Sequence, residues 1–207
     1  MYITVYKADF KKHHIARALS NAGSMHKLLF GEGFNTSRND AQALYRVEKG
    51  RAGYMIFLKS EVRPNEIDGL SIVAQKIVND SDLPGEGTYR FFIELTPMLS
   101  IHGKKHYIMN DTDEDGNIIR GSRRDKRIRW VKEQFEKHGM HILSCEEGEV
   151  QEKYFAHSEN KGGLHGHRTS WKYYGVMEIV DKDGFLKAYK EGIGVGKAYG
   201  NGMLLLG

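Results

Sequence analysis

Gly192-Ile193-Gly194-Val195-Gly196-Lys197-Ala198-Tyr199-Gly200-Asn201-Gly202 runs directly into Met203-Leu204-Leu205-Leu206. Five glycines fall within the first eleven of these residues, with Lys197 and Tyr199 among them. Glycine loses more backbone entropy on folding than any other residue, so such a run needs a physical reason. Either the chain takes positive φ at several points, or its backbone lies close against a ligand. In the second case free N–H groups beside Lys197 form an anion site. A plain loop before a last strand is the simpler reading. A dinucleotide fingerprint would follow a strand, open a helix and be followed by an acidic residue; only a short apolar stretch follows here. A Walker loop needs Gly-Lys followed by Ser or Thr, and Lys197 is followed by Ala198. An extended phosphate backbone is a better partner for this loop than a nucleotide.

Working outward from the run, residues 183–191 read as a short helix with Phe185, Leu186 and Tyr189 on its apolar side. Residues 171–180 and 140–143 read as strands, with a further extended stretch near Tyr154 and Phe155. Residues 156–168 form a polar segment bearing glycine and histidine. A helix is expected over about 125–138, where Ile128, Val131, Phe135 and His138 share one face and Gly139 follows as a C-terminal cap. Residues 89–95 open this half as a strand, so its order is βαββαβ.

The first half repeats the pattern less clearly. Residues 1–8 are rich in β-formers, and 11–22 carry weaker helical character. Gly23-Ser24 reads as a break, with Ser24 as N-cap of a helix beginning Met25-His26-Lys27. Residues 43–48 and 54–60 form a hairpin turned by Gly50–Gly53, and 70–78 reads as another strand. The helix that should precede this strand is poorly marked. Ser81–Gly87, with a proline, two glycines and acidic residues, is the best boundary. The expectation is an α+β protein of tandem ferredoxin-like (RRM-like) domains, with antiparallel sheets and helices, over residues 1–85 and 88–207.

Composition excludes more than it assigns. Net charge is +4 and the pI is about 9.0, which tolerates a polyanion without requiring one. The single cysteine, Cys145, rules out an intramolecular disulfide and multi-cysteine zinc patterns. No stretch reaches membrane-spanning length and no leader pattern opens the sequence, so a cytoplasmic protein with no membrane partner is expected. The acidic turn Asp111–Gly116 superficially resembles a calcium loop but lacks the terminal glutamate spacing. His13-His14, His102/His106 and His165/His167 form pairs without a third ligand at recognisable spacing, so no metal site is expected.

Two basic clusters and one histidine are the candidates for chemistry. Arg120, Arg123, Arg124, Lys126, Arg127, Arg129 and Lys132 crowd the N-terminal side of the expected 125–138 helix. Cations there oppose the helix dipole, which makes sense if an anion binds, although a solvated basic face reads the same. Lys153, Lys161, His165, His167, Arg168 and Lys172 form a second patch suited to a groove. His26 lies near a helix start, where a neutral imidazole is favoured, as a general base requires; a structural histidine fits equally from composition. RNA cutting without metal would use the 2′-hydroxyl beside the scissile phosphate as nucleophile, so DNA would be inert.

Three stretches together resemble the Cas6e family (also called CasE or Cse3), the CRISPR repeat-RNA endoribonucleases of type I-E systems. They are Met1-Tyr-Ile-Thr-Val-Tyr with Met25-His26-Lys27-Leu28-Leu29; Tyr89-Arg90-Phe91-Phe92-Ile93-Glu94-Leu95-Thr96-Pro97; and the glycine run. Leu44-Tyr-Arg-Val-Glu48 agrees with it. The resemblance implies metal-independent cleavage of a CRISPR repeat RNA hairpin at the base of its stem, leaving a 2′,3′-cyclic phosphate. It implies that the mature guide RNA stays bound by its 3′ handle, that other Cascade subunits are partners, and that no cofactor is used. It makes His26 the catalytic histidine, with Lys27 and Ser24 as neighbouring candidates. Where the family often has tyrosine, three residues earlier, this chain has Gly23. RNA contacts are expected from Arg120, Arg123, Arg124, Arg127, Lys153, Lys161, His165, His167, Arg168, Lys197 and Tyr199. A non-catalytic hairpin-binding subunit of the same fold is the alternative.

Overall fold

Thr4, Tyr6 and Ala8 are buried along Tyr2–Ala8 (β1), while Ile3 and Val5 point to the opposite face. This period of two organises the first half of the chain. The computed structural model describes residues 1–156 and 165–207. After β1 come the helices His13–Ser20 (α1) and Ala22–Lys27 (α2), and a wider π-type turn over Leu28–Glu32. Leu44–Gly50 (β2) and Gly53–Ser60 (β3) form the hairpin, and Leu70–Ile77 (β4) follows. The four strands make one antiparallel sheet in the order β2-β3-β1-β4.

Gly23 and Ser24 lie inside α2 and do not break it. The N-cap is Asn21, whose side chain accepts the Ser24 N–H at 3.0 Å, so Ser24 is not the cap expected from the sequence. Asn and Ser serve almost equally as caps, and the sequence offers both within four residues.

β3 and β4 run in the same direction on either side of β1, so a crossover must join them. Residues 61–69 make it without a helix. Nine extended residues reach about 30 Å, enough to run back along an eight-residue strand but too few to coil. Ile67, 3% exposed, fills part of the place a helix would take, and the outer residues Ile72, Val73 and Ile77 of β4 stay exposed.

The second half completes the pattern. Gly87–Leu95 (β5) leads into a small hairpin, Met98–Ile101 (β6) and Lys104–Tyr107 (β7). Arg124–Glu136 (α3), Met140–Ala156 (β8), His165–Ile179 (β9), Lys182–Glu191 (α4) and Leu205–Leu206 (β10) follow. The sheet order is β10-β5-β9-β8, all antiparallel. Counted within each half, both sheets place their strands as fourth, first, third, second. This is the tandem ferredoxin-like α+β arrangement.

Each sheet buries one face against its own helices. Tyr6, Ile15, Met25, Leu29, Tyr45, Ile56 and Leu58 form the first core, and Phe91, Ile93, Val131, Phe135, Tyr173, Phe185 and Tyr189 belong to the second. The opposite faces meet. Leu44, Arg46 and Lys59 point away from the first core, yet each is 1% exposed because the second half covers it. Arg46 stacks its guanidinium 3.7 Å from the centre of the Phe92 ring, and Lys59 Nζ donates to the Leu204 carbonyl over the Tyr189 ring. Among the described residues, no helix is long and apolar enough to cross a membrane.

Candidate active site

The glycine run sits in the junction between the halves. A Cβ on Gly192 would lie 2.9 Å from Leu44 Cδ2, and one on Gly200 would lie 3.1 Å from Tyr45 Cε2. The glycines therefore admit the first residues of β2. Of the uses weighed from sequence, positive φ and close backbone approach both occur, but the close neighbour is the protein itself. Lys197–Tyr199 forms a short turn between Gly196 and Gly200, both left-handed at φ 83°.

Three side chains anchor this turn. Lys153 Nζ donates to the Tyr199 carbonyl at 3.0 Å and to Asn201 Oδ1 at 2.6 Å, and is 2.7 Å from Glu94 Oε1. Asn201 Nδ2 donates to Thr96 Oγ1 at 3.0 Å. Tyr45 Oη donates to the Ala198 carbonyl at 3.1 Å and lies 3.4 Å from that of Ala22, tying the turn to the start of α2. Burial pushes the Tyr45 phenol pKa well up, so this hydroxyl stays protonated and structural.

That tie brings His26, one turn further along α2, against the glycine run. Its ring hydrogen-bonds with the Ala198 backbone and packs on Phe30 with centroids 4.7 Å apart. Burial holds its pKa below the ordinary imidazole value, the Ala198 bond opposes this, and the Arg38 charge lowers it further. Its Nδ1 is buried without a partner in the free protein. A neutral imidazole beside a cation-bearing turn suits a general base, and because Nδ1 is buried, RNA docking has to expose a ring nitrogen before it accepts a proton.

The other expected site residues separate. Ser24 is half-buried and Lys27 exposed, both on the same short helix as His26. Gly23, one turn before His26, brings no phenol to its side of the helix. Arg120 and Arg124 are exposed before and at the start of α3, while Arg123 donates Nε to Asp111 at 2.7 Å. Arg127 is not available to RNA. It is 1% exposed, donates Nε and Nη2 to the Glu147 carboxylate at 2.6 and 2.7 Å, and lies over Trp171. A basic run read along a helix conceals that every third or fourth member faces the core.

Strand alternation divides the second basic patch in the same way. Lys153 and Arg168 are register partners on the inner face, where Arg168 lies over the Tyr199 ring and Lys153 holds the glycine turn. Lys172 points inward too, 3.1 Å from Glu48. His167 is exposed on the other face, beside Tyr154. Lys161 and the His165 side chain lie outside the described residues. Lys153, Arg168 and Lys172 therefore do not form the open patch the sequence predicts; they brace the junction.

Sequence reasoning missed Arg38, Tyr45 and Asn201 at this site. Arg38 and Tyr45 belong to the first half and gain meaning only when the glycine run is laid beside them. Among the described residues, no three His, Cys, Asp or Glu side chains are grouped to hold a metal ion.

A family model described as CRISPR associated protein matches residues 1–207. The fold is similar to CRISPR endoribonuclease Cse3 bound to 19 nt RNA, with TM-score 0.81 and 17% identity over 100% of both chains. Thermus thermophilus Cse3, bound to an RNA representing a pre-cleavage complex, gives TM-score 0.77 and 18% identity over 100% of this chain and 98% of that one. Cas6e from Escherichia coli K-12 gives 0.68 and 22% over 100% and 98%. No curated protein sequence matches the chain. At these identities the structural likeness is one of fold, and the family match is what assigns membership. The chain belongs to the CRISPR associated protein family, and its fold is that of the Cse3 and Cas6e structures.

Proposed function

We propose that this chain is a metal-independent endoribonuclease that cuts a CRISPR repeat hairpin and keeps the guide RNA product. The carrying observation is His26, with its depressed pKa and its buried, unpartnered Nδ1, beside the Lys197–Tyr199 turn. In the reaction, the RNA 2′-oxygen forms a bond to the adjacent phosphorus and its proton passes to His26. The bond from phosphorus to the 5′-oxygen breaks, and that oxygen takes up a proton. The products are a 2′,3′-cyclic phosphate and a 5′-hydroxyl. Exposed Lys27 is the nearby candidate for the proton donor, and Ser24 for a hydrogen bond to the RNA. Arg120, Arg124, His167 and Lys197 contact RNA phosphates, and Tyr199 lines their path.

The fold likeness to Cse3 structures holding RNA supports this reading. Assembly into a CRISPR RNA-guided surveillance complex belongs to the same proposal, since a chain of the same fold occurs in one. So does a cytoplasmic location. Residues 1–85 and 88–207 are proposed as the two domains, each built on one sheet.

The test is a cutting assay with the host's own repeat RNA in EDTA. Wild-type protein cuts it, and a 2′-deoxy nucleotide before the cut abolishes cutting while binding persists. His26→Ala binds normally and cuts about 10²- to 10⁴-fold more slowly. Gly23, which brings no phenol to the helix one turn before His26, favours one second reading, a subunit that binds the hairpin without cutting. Tight binding with no cutting by wild-type protein would establish that reading instead.

A further inference from the structure

A depression opens next to the glycine turn. Its cavity of about 320 Å³ is lined by Arg38, Asn39 and Gln42 from the first half and by Lys190, Glu191 and Lys197 from the second. Lys190 is engaged, with Nζ 2.6 Å from Asp80. Arg38 and Lys197 are not: among the described residues, no carboxylate lies within ion-pair distance of either. Arg38 is held in place through Nη1, which donates to the Ala43 carbonyl at 3.2 Å, and Nη2, which donates to Asn39 Oδ1 at 2.6 Å. Its guanidinium is thereby fixed while the rest of its donor fork remains for a ligand.

Two half-buried cations facing one cavity repel each other. Burial lowers the Lys197 pKa, and the Arg38 charge lowers it further against the opposing Glu191 carboxylate. The same Arg38 charge reaches His26. His138, at the end of α3, also feels Lys197 and Glu191. Neutralisation by an anion would relieve this crowding. One exposed carboxylate, Glu191, leaves the cavity net positive, and the turn that gives Lys197 to its wall also carries Ala198, whose backbone the His26 ring engages.

We propose that Arg38 and Lys197, one from each half of the chain, form an anion seat beside His26 that holds the reacting RNA phosphate. Arg38 donates to a non-bridging phosphate oxygen and gains strength as charge builds there during attack by the 2′-oxygen. Lys197 supplies the second cation. The seat exists only when the two sheets are docked, so docking assembles the site. This rests on the endoribonuclease reading for its chemistry, although the seat itself is tested without it.

The experiment uses full-length wild-type protein, Arg38→Gln, Arg38→Lys and Lys197→Gln, with the host repeat hairpin in cleavable and 2′-deoxy-blocked forms. With blocked RNA, Arg38→Gln and Lys197→Gln each reduce the slope of log affinity against log salt by about 0.7 to 0.9. With cleavable RNA at saturation, Arg38→Gln slows the single-turnover rate by about 10²-fold. Arg38→Lys keeps the salt slope but recovers only part of the rate, because it keeps the charge and loses the fork. Thermal melting of each variant checks that the fold is retained. An unchanged salt slope in both Gln variants overturns the seat, whether or not wild-type protein cuts. Wild-type rates for Arg38→Gln at an altered slope leave a phosphate contact and overturn its part in the reaction. If wild-type protein fails to cut but the slopes fall, the seat stands and the endoribonuclease reading falls.

Discussion

His26 shows how a single residue acquires a role from its surroundings. On sequence it is a histidine near a helix start, as easily structural as catalytic. In the structure, burial and the Arg38 charge both disfavour its protonated form, and the Ala198 hydrogen bond only partly offsets them. A base that must be neutral is active above its pKa and silenced below it. The acid limb of the cutting rate, measured at subsaturating RNA so that it reports the free protein, should therefore have its midpoint below about 6.5. Arg38→Gln should move that midpoint upward by removing a like charge. A wild-type midpoint above the ordinary imidazole value would contradict this account of His26.

At the scale of elements, the glycine turn and α3 make opposite use of charged and small residues. Gly202 has φ 82°, and a Cβ there would lie 2.4 Å from the Ile193 carbonyl oxygen. Gly202→Ala is expected to destabilise by roughly 1–3 kcal/mol through backbone strain and the displaced contact. This appears in thermal melting as a drop of about 2–4 °C per kcal/mol for a chain of this size. Gly31 is the control: it is exposed, and a Cβ there would meet nothing within 4 Å, so Gly31→Ala should melt no lower than wild type. On α3, Arg127 serves the buried Glu147 carboxylate, which also accepts the Tyr173 hydroxyl at 3.1 Å. Arg127→Met strands that carboxylate and should remove about 3–5 kcal/mol from urea unfolding. Adding Glu147→Leu should restore most of it. Equal losses in the single and double variants would show that the pair is not the source of the effect.

At the scale of the molecule, the two sheets are joined by charged groups that neither half buries alone. Arg46 and Lys59 come from the first sheet and are covered by Phe92, Tyr189 and Leu204 of the second half. Separating the halves would expose Leu44 as well as these groups, so partial unfolding at the junction is disfavoured. Both tryptophans, Trp130 and Trp171, lie in the second half, and their fluorescence reports only that half. Urea unfolding followed by tryptophan fluorescence should coincide with unfolding followed by far-ultraviolet circular dichroism. Earlier loss of the dichroism signal would mean that the first sheet unfolds independently.

Period-two burial in β1, the helical period of α3 and the βαββαβ order of the second half are all legible in the sequence, because they depend on residues close together along the chain. So are the glycine run and the early histidine. The cap of α2 is not, because Asn21 and Ser24 compete at nearly equal strength. The missing helix before β4 follows from too short a connection. Arg127, Lys153 and Arg168 escape a sequence reading because a basic run on a helix or strand has two sides, and only packing decides which side a side chain takes. The meeting of His26, Arg38 and Lys197 lies beyond any local pattern. It joins residues more than 150 positions apart, and it exists because the glycines of the last loop let β2 and α2 come close enough to touch it.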